Sequence, residues 1–348
     1  LRRTTVLAIA FALAAGGAQA QTRTLTVGAS SASTGMDPHY HSSNMNNGQL
    51  RQVFDLLVDL DTSGRIVPRL AESWRIVDDH TWEFKLREGV RFHDGTPFEA
   101  EDIAFTFARI PTIPNSPGPF TPSVRRIKSI EIVDPRTVRF VTDVPHPFLD
   151  FDVGGIMLLS RKVHEGMTLA DFNSGRAMIG TGAYRFVSYT IGDRLELTRN
   201  DAYWGGAPPW DRVVTRVIPN ASARVAALLS GEVDLIDFVP VQDVRRLSND
   251  PRLAVYGIES NGTVYLFPDA ARDQAPFVTD KQGRPLDRNP MQDARVRQAM
   301  SMAINRAGIV ERLLEGQGGP ASQFAAPSLP GRAAELPPLP HDLDRARA

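Results

Sequence analysis

Apolar patterns of two different periods alternate along the chain after residue 23, and this alternation constrains the fold more than any other feature. A segment in which every second residue is apolar indicates a strand, because successive side chains of a strand point to opposite faces. The first such segment reads TLTVGAS. The sequence predicts strands at residues 24–30, 72–76, 81–87, 129–133, 137–142, 193–199, 213–218, 233–239 and 263–267.

Other segments carry apolar residues at helical spacing. The predicted helices cover residues 48–60, 100–110, 220–230 and 293–314, the last with a break before Ile309. Asn220 or Ser222 is expected to cap the third helix, Gly231 to end it, and Asp293 to cap the fourth. Because strands and helices are mixed without an internal repeat, the expected fold class is α/β to α+β.

The first twenty residues have the three parts of a signal peptide. Arg2 and Arg3 are followed by an uncharged apolar stretch from Val6 to Ala15, and Ala18-Gln19-Ala20 forms a small-x-small cleavage site. A membrane anchor would need about 20 apolar residues. We expect cleavage after Ala20. The paired arginines leave twin-arginine export open, although Thr5 favours the general secretory route.

Charge and cysteine usage exclude several classes of function. The 348 residues include 39 Lys and Arg against 40 Asp and Glu, a formal charge of −1, so there is no basic footprint for nucleic acid. The chain has no cysteine, which excludes disulfides, thiolate metal sites and a lipidated N-terminal cysteine. An unlipidated periplasmic protein fits this composition.

Motifs that could carry chemistry are incomplete. Asp59-x-Asp61-x-Ser63-Gly64 begins like a calcium loop, but Leu70 stands where the bidentate carboxylate is needed. His39 and His41, beside Asp37, could form a metal pair, but alternating residues of an extended segment point to opposite sides, and the chain has no cysteine and no His-Glu-x-x-His. No Gly-x-Ser-x-Gly elbow supports a hydrolase built on His93 and Asp94. We expect no catalytic residue, no metal and no cofactor.

Aromatic residues are concentrated between positions 74 and 107, and we interpret them as core. The segment that contains them, residues 71–109, reads AESWRIVDDHTWEFKLREGVRFHDGTPFEAEDIAFTFAR. It closely resembles the signature of the family 5 extracellular solute-binding proteins, which serve peptide, dipeptide and nickel ABC importers. Further blocks agree in the family's order: TLTVGASSASTGMDPHY at 24–40, GTGAYRF at 180–186, RNDAYWGGAPPWDRVVTRVIPNASARVAALLSGEVDL at 199–235 and DARVRQAMSMAINRAGIVERLLEG at 293–316.

The resemblance implies a periplasmic binding protein-like fold of type II (cluster C) with two lobes. The order of the blocks then divides the chain into a signal peptide (1–20), a first lobe (21–262) with an inserted subdomain (about 47–175), and the beginning of a second lobe (263–348). Because family members continue well beyond this point, the second lobe is expected to be incomplete. The resemblance also implies that the GTGAYRF and YWGG blocks are scaffold.

By the same resemblance, the chain would be the periplasmic substrate-binding subunit of an ABC importer, a monomer that delivers a peptide or similar small solute to permease subunits in the inner membrane. Three segments are expected to face the ligand cleft. Their candidate ligand-binding residues are Ser33, Tyr40, His41, Asn44, Phe120, Asn261, Tyr265 and Phe267. A chemosensory binding protein, a non-functional fragment and an exported hydrolase remain the alternatives.

Overall fold

The computed structural model describes residues 22–258, 262–325, 332–333 and 336–348. In these ranges the strands are β1 (Thr24–Ala29), β2 (Val58–Leu60), β3 (Ile66–Pro68), β4 (Ala71–Asp78), β5 (Thr81–Leu86), β6 (Ile127–Asp134), β7 (Thr137–Thr142), β8 (Tyr184–Thr190), β9 (Arg194–Arg199), β10 (Arg212–Val217) and β11 (Leu235–Ile236). The helices are α1 (Asn44–Leu50), α2 (Ala100–Arg109), α3 (Thr121–Val124), α4 (Leu149–Val153), α5 (Arg161–His164), α6 (Leu169–Asn173), α7 (Ala221–Ser230), α8 (Val241–Ser248), α9 (Ala294–Ala303), α10 (Arg306–Arg312) and α11 (Leu343–Arg347).

A mixed five-stranded sheet has the order β11-β1-β10-β9-β8. β1 runs parallel to both of its neighbours, whereas β10, β9 and β8 pair antiparallel. Parallel neighbours need a long connection between them, and the chain between β1 and β10 contains the second sheet. The strands predicted at 24–30, 193–199 and 213–218 are confirmed.

The second sheet is antiparallel, with the order β4-β5-β7-β6. Both of its predicted hairpins are confirmed, and β5 pairs with β7 so that Trp82 lies opposite Phe140. These rings point into the core. On the other face Glu83 accepts hydrogen bonds from Arg75 and Arg139 across three strands, so this face is turned toward water.

Two hydrophobic clusters form the core. One joins the four-stranded sheet to α2 and contains Phe84, Ile103 and Phe107. The other lies between the five-stranded sheet and helices α1 and α6. The aromatic segment is therefore mostly core, as expected, and Phe105 is the exception because it lines a cavity.

The helix predicted over 48–60 is wrong. The helix that forms is α1, which ends at Leu50, and the apolar residues beyond it are buried in turns and in β2. The carbonyls of Gln52 and Val53 cannot serve a helix because they accept from the Tyr184 and Gly182 amides, both at 2.9 Å. A tertiary contact has taken the backbone groups that the local pattern assigned to a helix.

Two further strand predictions are wrong: one strand is shorter than predicted and the other is absent. The strand at 233–239 is reduced to β11, because the Arg224 guanidinium binds the carbonyls of Asp237 and Phe238 at 3.2 and 3.0 Å. Phe238 also has a φ of 43°, which is outside the strand region. Residues 263–267 form no strand, and no described strand lies beside them to pair with.

The predicted helix signals in the second half are confirmed. Asn220 accepts from the Ala223 amide, and Gly231 ends α7 with a φ of 76°. Asp293 caps α9 by accepting from the Arg295 amide. The break in this helix falls at residues 304–305, between α9 and α10.

Candidate functional site

The first loop (residues 30–43, between β1 and α1) is held by side chains of α1. Ser33 Oγ donates to Gln49 Oε1 at 2.8 Å. Ser43 caps the N-terminus of α1, because its Oγ accepts from the Asn46 amide at 3.3 Å. Polar contacts with the neighbouring helix therefore fix the shape of this loop.

A buried ion pair fastens the same loop to α2. Arg109 donates from Nη1 and Nη2 to the two carboxylate oxygens of Asp37 at 3.0 and 2.5 Å. The side chains are only 8% and 2% exposed, so the forked geometry compensates for the lost hydration of both charges. The guanidinium also lies 5.2 Å from the centre of the Phe172 ring, which is a favourable cation–π distance.

His39 completes this buried network as a neutral imidazole. Its Nε2 lies 2.8 Å from the Met157 carbonyl, which only accepts, and its Nδ1 lies 3.1 Å from Arg109 Nη1, which only donates. Burial first, and the nearby Arg109 charge second, lower the pKa of His39 to about 4. Both ring nitrogens are occupied, so His39 has no position left for a metal ion.

The second loop (residues 113–120, before α3) is joined to the first. The Ser42 amide donates to the Gly118 carbonyl at 2.8 Å, and Ser116 Oγ donates to the Tyr40 carbonyl at 2.6 Å. His41 and Gly118 form an isolated parallel bridge. The two loops, from distant parts of the sequence, therefore form one surface, the joined loops.

A half-enclosed cavity of about 570 Å³ lies beside the joined loops. Its volume is in the range of small-molecule sites. Most of its wall is apolar, with a few hydroxyl and amide groups. The lining residues are Asp37, Tyr40, Phe105, Ala108, Arg109, Thr112, Ile113, Pro114, Asn115, His164, Gly166, Met167, Thr168 and Leu169.

The candidate residues before position 121 fall into two groups. Tyr40 lines the cavity, His41 lies half-buried on the joined loops, and Asn44 is exposed at the start of α1. Ser33 is buried against Gln49, and Phe120 is 5% exposed within the core cluster. In this structure the side chains of Ser33 and Phe120 pack beneath the joined loops and are too buried to contact a solute.

The candidates beyond residue 260 have a different setting. Asn261 lies outside the described residues. Tyr265 is 57% exposed and Phe267 is 87% exposed. The Tyr265 ring meets those of Phe267 and Phe324 edge-on, at centroid distances of 6.2 and 4.8 Å. These rings form an open aromatic cluster in the second half of the chain.

Asp55 anchors the blocks that were interpreted as scaffold. Its carboxylate accepts from Trp204 Nε1 at 2.8 Å, from Thr181 Oγ1 at 3.0 Å and from the Tyr203 hydroxyl at 3.2 Å. Burial raises the pKa of Asp55, and these three donors counteract that rise. The GTGAYRF and YWGG segments are thereby tied to one buried acid.

His93 belongs to the same scaffold. Its Nε2 donates to the Gly182 carbonyl at 3.0 Å, and its Nδ1 accepts from the Gly180 amide at 3.3 Å. Burial lowers its pKa to about 4. Asp94 accepts from Thr96 instead of from the imidazole, so the pair has no catalytic arrangement.

The partial calcium motif is a turn. Asp61 accepts from the amides of Ser63 and Arg65 and from both of their side chains. Throughout the described ranges, no three His, Cys, Asp or Glu side chains converge as a metal site would require.

Sequence reasoning missed the residues that hold the joined loops together. Arg109 lies 72 positions from Asp37, and Gly118 lies 77 positions from His41 along the chain. No local periodicity links such pairs. One signal was available in the sequence. Arg109 ends the apolar face of α2, and a buried arginine needs an acidic partner.

The comparison with solved structures identifies the class of fold. The structure of NikZ from Campylobacter jejuni in complex with Ni(L-His) has a TM-score of 0.74 and 24% sequence identity, covering 93% of this chain and 61% of NikZ. The fold is therefore that of the two-lobed, type II periplasmic binding proteins, with mixed α/β content.

The family model described as bacterial extracellular solute-binding proteins, family 5, matches residues 65–348. The chain belongs to this family. Heme-binding protein A of Haemophilus influenzae is 29% identical over 324 residues, covering 86% of this chain and 56% of the relative. The dipeptide-binding protein of Escherichia coli is 28% identical over 310 residues, covering 81% and 54%. The chain thus spans about half the length of the curated relatives it matches. Within the described ranges, every helix is too short or too polar to cross a bilayer.

Proposed function

We propose that this protein is the periplasmic substrate-binding subunit of an ABC importer, that it captures a peptide or similar small solute between two lobes, and that it passes the solute to permease subunits in the inner membrane. Membership of the family 5 solute-binding proteins is the observation that carries this proposal. Relatives are named for binding haem, dipeptides, di- and tripeptides, and nickel.

Capture by two lobes requires no catalytic residue. A solute that contacts both lobes stabilises the closed form relative to the open form, and the population shifts accordingly. Loops that already have their bound conformation favour binding, because ordering a loop when the solute binds would reduce the affinity. The joined loops meet this need, because the ion pair of Asp37 with Arg109 and the bridge at Gly118 fix them in advance.

The proposed lobe boundaries follow the same reasoning. The first lobe would span residues 21–262, with the subdomain at about 47–175 containing the four-stranded sheet, and the second lobe would begin at 263. Tyr40, His41 and Asn44 would then contribute from the first lobe, and Tyr265 and Phe267 from the second. We also propose that the protein is a monomer without enzymatic activity and that residues 1–20 direct its export to the periplasm without lipidation.

Ligand-induced stabilisation tests the proposal. The mature protein is heated with dialanine, with Ni²⁺–L-histidine and with haem, each at several concentrations. A solute at 100 times its Kd stabilises the folded state by about 2.7 kcal/mol. We expect one of these three classes to raise the Tm in a saturable way.

A variant pair locates the binding. Tyr40→Ala removes a ring from the cavity wall and should abolish most of the Tm shift. Tyr256→Ala changes a ring that is almost fully exposed and should leave the shift intact. No shift with any solute, or equal loss in both variants, would contradict capture at this site.

A further inference from the structure

We propose that His41 is a specificity-determining residue that donates a hydrogen bond from Nε2–H to an oxygen atom of the captured solute. The inference rests on the proposed function and deepens it, since it names the atom that the joined loops offer. It also assigns Thr34, Asn46 and Gly118 as positioning residues that act through His41.

The orientation of the Asn46 amide is the starting point. Its Oδ1 lies 3.2 Å from the Thr34 backbone N–H, which only donates. Its Nδ2 lies 3.2 Å from the Gly35 carbonyl, which only accepts. Two backbone groups of opposite character therefore fix which side of the amide is oxygen and which is nitrogen.

Asn46 then fixes the Thr34 hydroxyl. The second Nδ2 proton of Asn46 is donated to Thr34 Oγ1 at 3.2 Å. Asn46 Oδ1 already accepts from the Thr34 amide and from Ser43 Oγ. Thr34 Oγ1 lies 2.9 Å from His41 Nδ1 and 3.4 Å from Asn46 Oδ1, and we assign its single hydroxyl proton to the nearer acceptor, His41 Nδ1.

An accepting Nδ1 places the proton of the neutral imidazole on Nε2. His39 and His93 carry the proton on the same nitrogen, but both of their ring nitrogens are occupied within the protein. Among the described residues, none forms a hydrogen bond with His41 Nε2. His41 is half-buried as a whole residue, so part of it faces solvent while Thr34 holds its ring.

Gly118 makes room for this ring. A Cβ atom at position 118 would lie 2.7 Å from His41 Cδ2, closer than such atoms approach, and 3.2 Å from Nε2, which is a tight contact. Any side chain there would displace the imidazole from Thr34. Because the Gly118 carbonyl also accepts from the Ser42 amide, the glycine cannot simply move away.

The fixed tautomer selects the chemistry of the solute. An N–H group binds a carboxylate or carbonyl oxygen, which peptides supply at their carboxyl end and at each amide. Coordination of a transition metal would need the lone pair on Nε2 and therefore the opposite tautomer. The geometry points to oxygen-bearing solutes of the peptide class and away from direct metal coordination by His41.

Nitrogen-15 NMR of the histidine rings at pH 8 tests the tautomer. The wild-type protein should show His41 with protonated Nε2 and unprotonated Nδ1. His80 is an internal control of opposite character, because its Nδ1 faces the Thr142 carbonyl at 3.1 Å and should carry the proton. A His41 ring with protonated Nδ1 overturns the inference.

Variants test the positioning residues. Thr34→Val removes the donor and should give a mixture of His41 tautomers, whereas Thr34→Ser should keep the wild-type signal. Gly118→Ala should shift the His41 resonances while the His80 resonances stay unchanged. Unaltered His41 signals in both Thr34→Val and Gly118→Ala would overturn the assignment.

Dialanine is the probe for the donor role. Its addition should move the His41 Nε2–H resonance downfield, and addition of Zn²⁺ at equal concentration to the protein should not convert Nε2 to a coordinated nitrogen. No shift with dialanine, or coordination of Zn²⁺, overturns the donor role. The tautomer is measured without any solute, so its failure is distinguishable from a failure of solute capture, which the Tm series reports.

Discussion

Single residues of opposite character meet at the joined loops, and their combination is what makes the site rigid. Arg109 and Asp37 would each be costly to bury alone, yet as a forked pair they connect α2 to the first loop. His39 fits beside them only as a neutral ring. The sequence shows Asp37, His39 and Arg109 as separate polar residues. The pairing of Arg109 with Asp37 spans 72 positions, so it forms only when α2 packs against the first loop.

The buried histidines make stability depend on pH. The folded-state pKa of His39 is about 4 against an ordinary value of 6.5. Below pH 6.5 the unfolded chain therefore binds a proton that the folded chain does not, and stability falls as the pH drops from 6.5 to 4 and is constant above. The loss is on the order of 3 kcal/mol for one such group. His93 contributes with the same sign.

Urea unfolding between pH 8 and pH 4.5 measures this dependence. In His39→Gln the decline below pH 6.5 should be shallower by about one proton. Asp102, whose pKa burial raises to about 6, acts in the opposite direction below pH 6 and is present in both proteins. Parallel pH profiles of wild type and variant would show that His39 is not the group responsible.

At the scale of elements, the sequence predicted the hairpins and helix caps whose residues are close together along the chain. The hairpins of the four-stranded sheet and the caps of α7 and α9 follow from residues within a few positions of one another. The helix over 48–60 failed because Gly180 and Gly182 bring a distant segment against its backbone. Apolar spacing alone cannot show that a carbonyl is already engaged elsewhere.

Two glycine substitutions separate the effect of the tertiary contact from that of local helix preference. A Cβ at Gly180 would lie 1.9 Å from the Val53 carbonyl oxygen, so Gly180→Ala must part the turn after α1 from the GTGAYRF segment. We expect a loss of about 4 kcal/mol or more, as for other severe core clashes. Gly48 lies within α1, where an added Cβ would meet no atom within 4 Å, so Gly48→Ala should stabilise by roughly 0.5–1 kcal/mol.

Chemical denaturation of both variants provides the measurement. The pair is matched, because each variant adds one methyl group to a glycine: Gly48 precedes the turn in α1, and Gly180 packs against the turn from the GTGAYRF segment. Similar midpoints for Gly180→Ala and wild type would contradict the close approach of these backbones.

At the scale of the whole molecule, burial is unevenly distributed. Both core clusters are built from residues before position 214, and among the described residues after Leu247 the only buried apolar side chain is Met302. Large apolar side chains are instead exposed along this second half. They are Tyr256, Ile258, Val264, Tyr265, Leu266, Phe267, Phe277, Ile309, Leu313, Phe324, Leu336, Leu339 and Leu343.

Hydrogen exchange should reproduce this asymmetry, because protection requires buried, hydrogen-bonded backbone. Amides of β5 and β7 lie at the centre of their sheet above buried rings and should exchange only through global unfolding. Residues 262–289 contain no helix or strand, so their amides should exchange within seconds to minutes, with α9 and α10 intermediate.

Mass spectrometry of peptic fragments compares these regions within one sample, so β5 and β7 serve as the internal reference. Adding the solute identified by the Tm series should slow exchange in the joined loops and around Tyr265 and Phe267 if both halves of the chain contact it. Protection of residues 262–289 equal to that of β5 and β7 without solute would show that this segment is packed in solution. The exposed aromatic cluster would then belong to a core, and the proposed roles of Tyr265 and Phe267 in binding would fail with it.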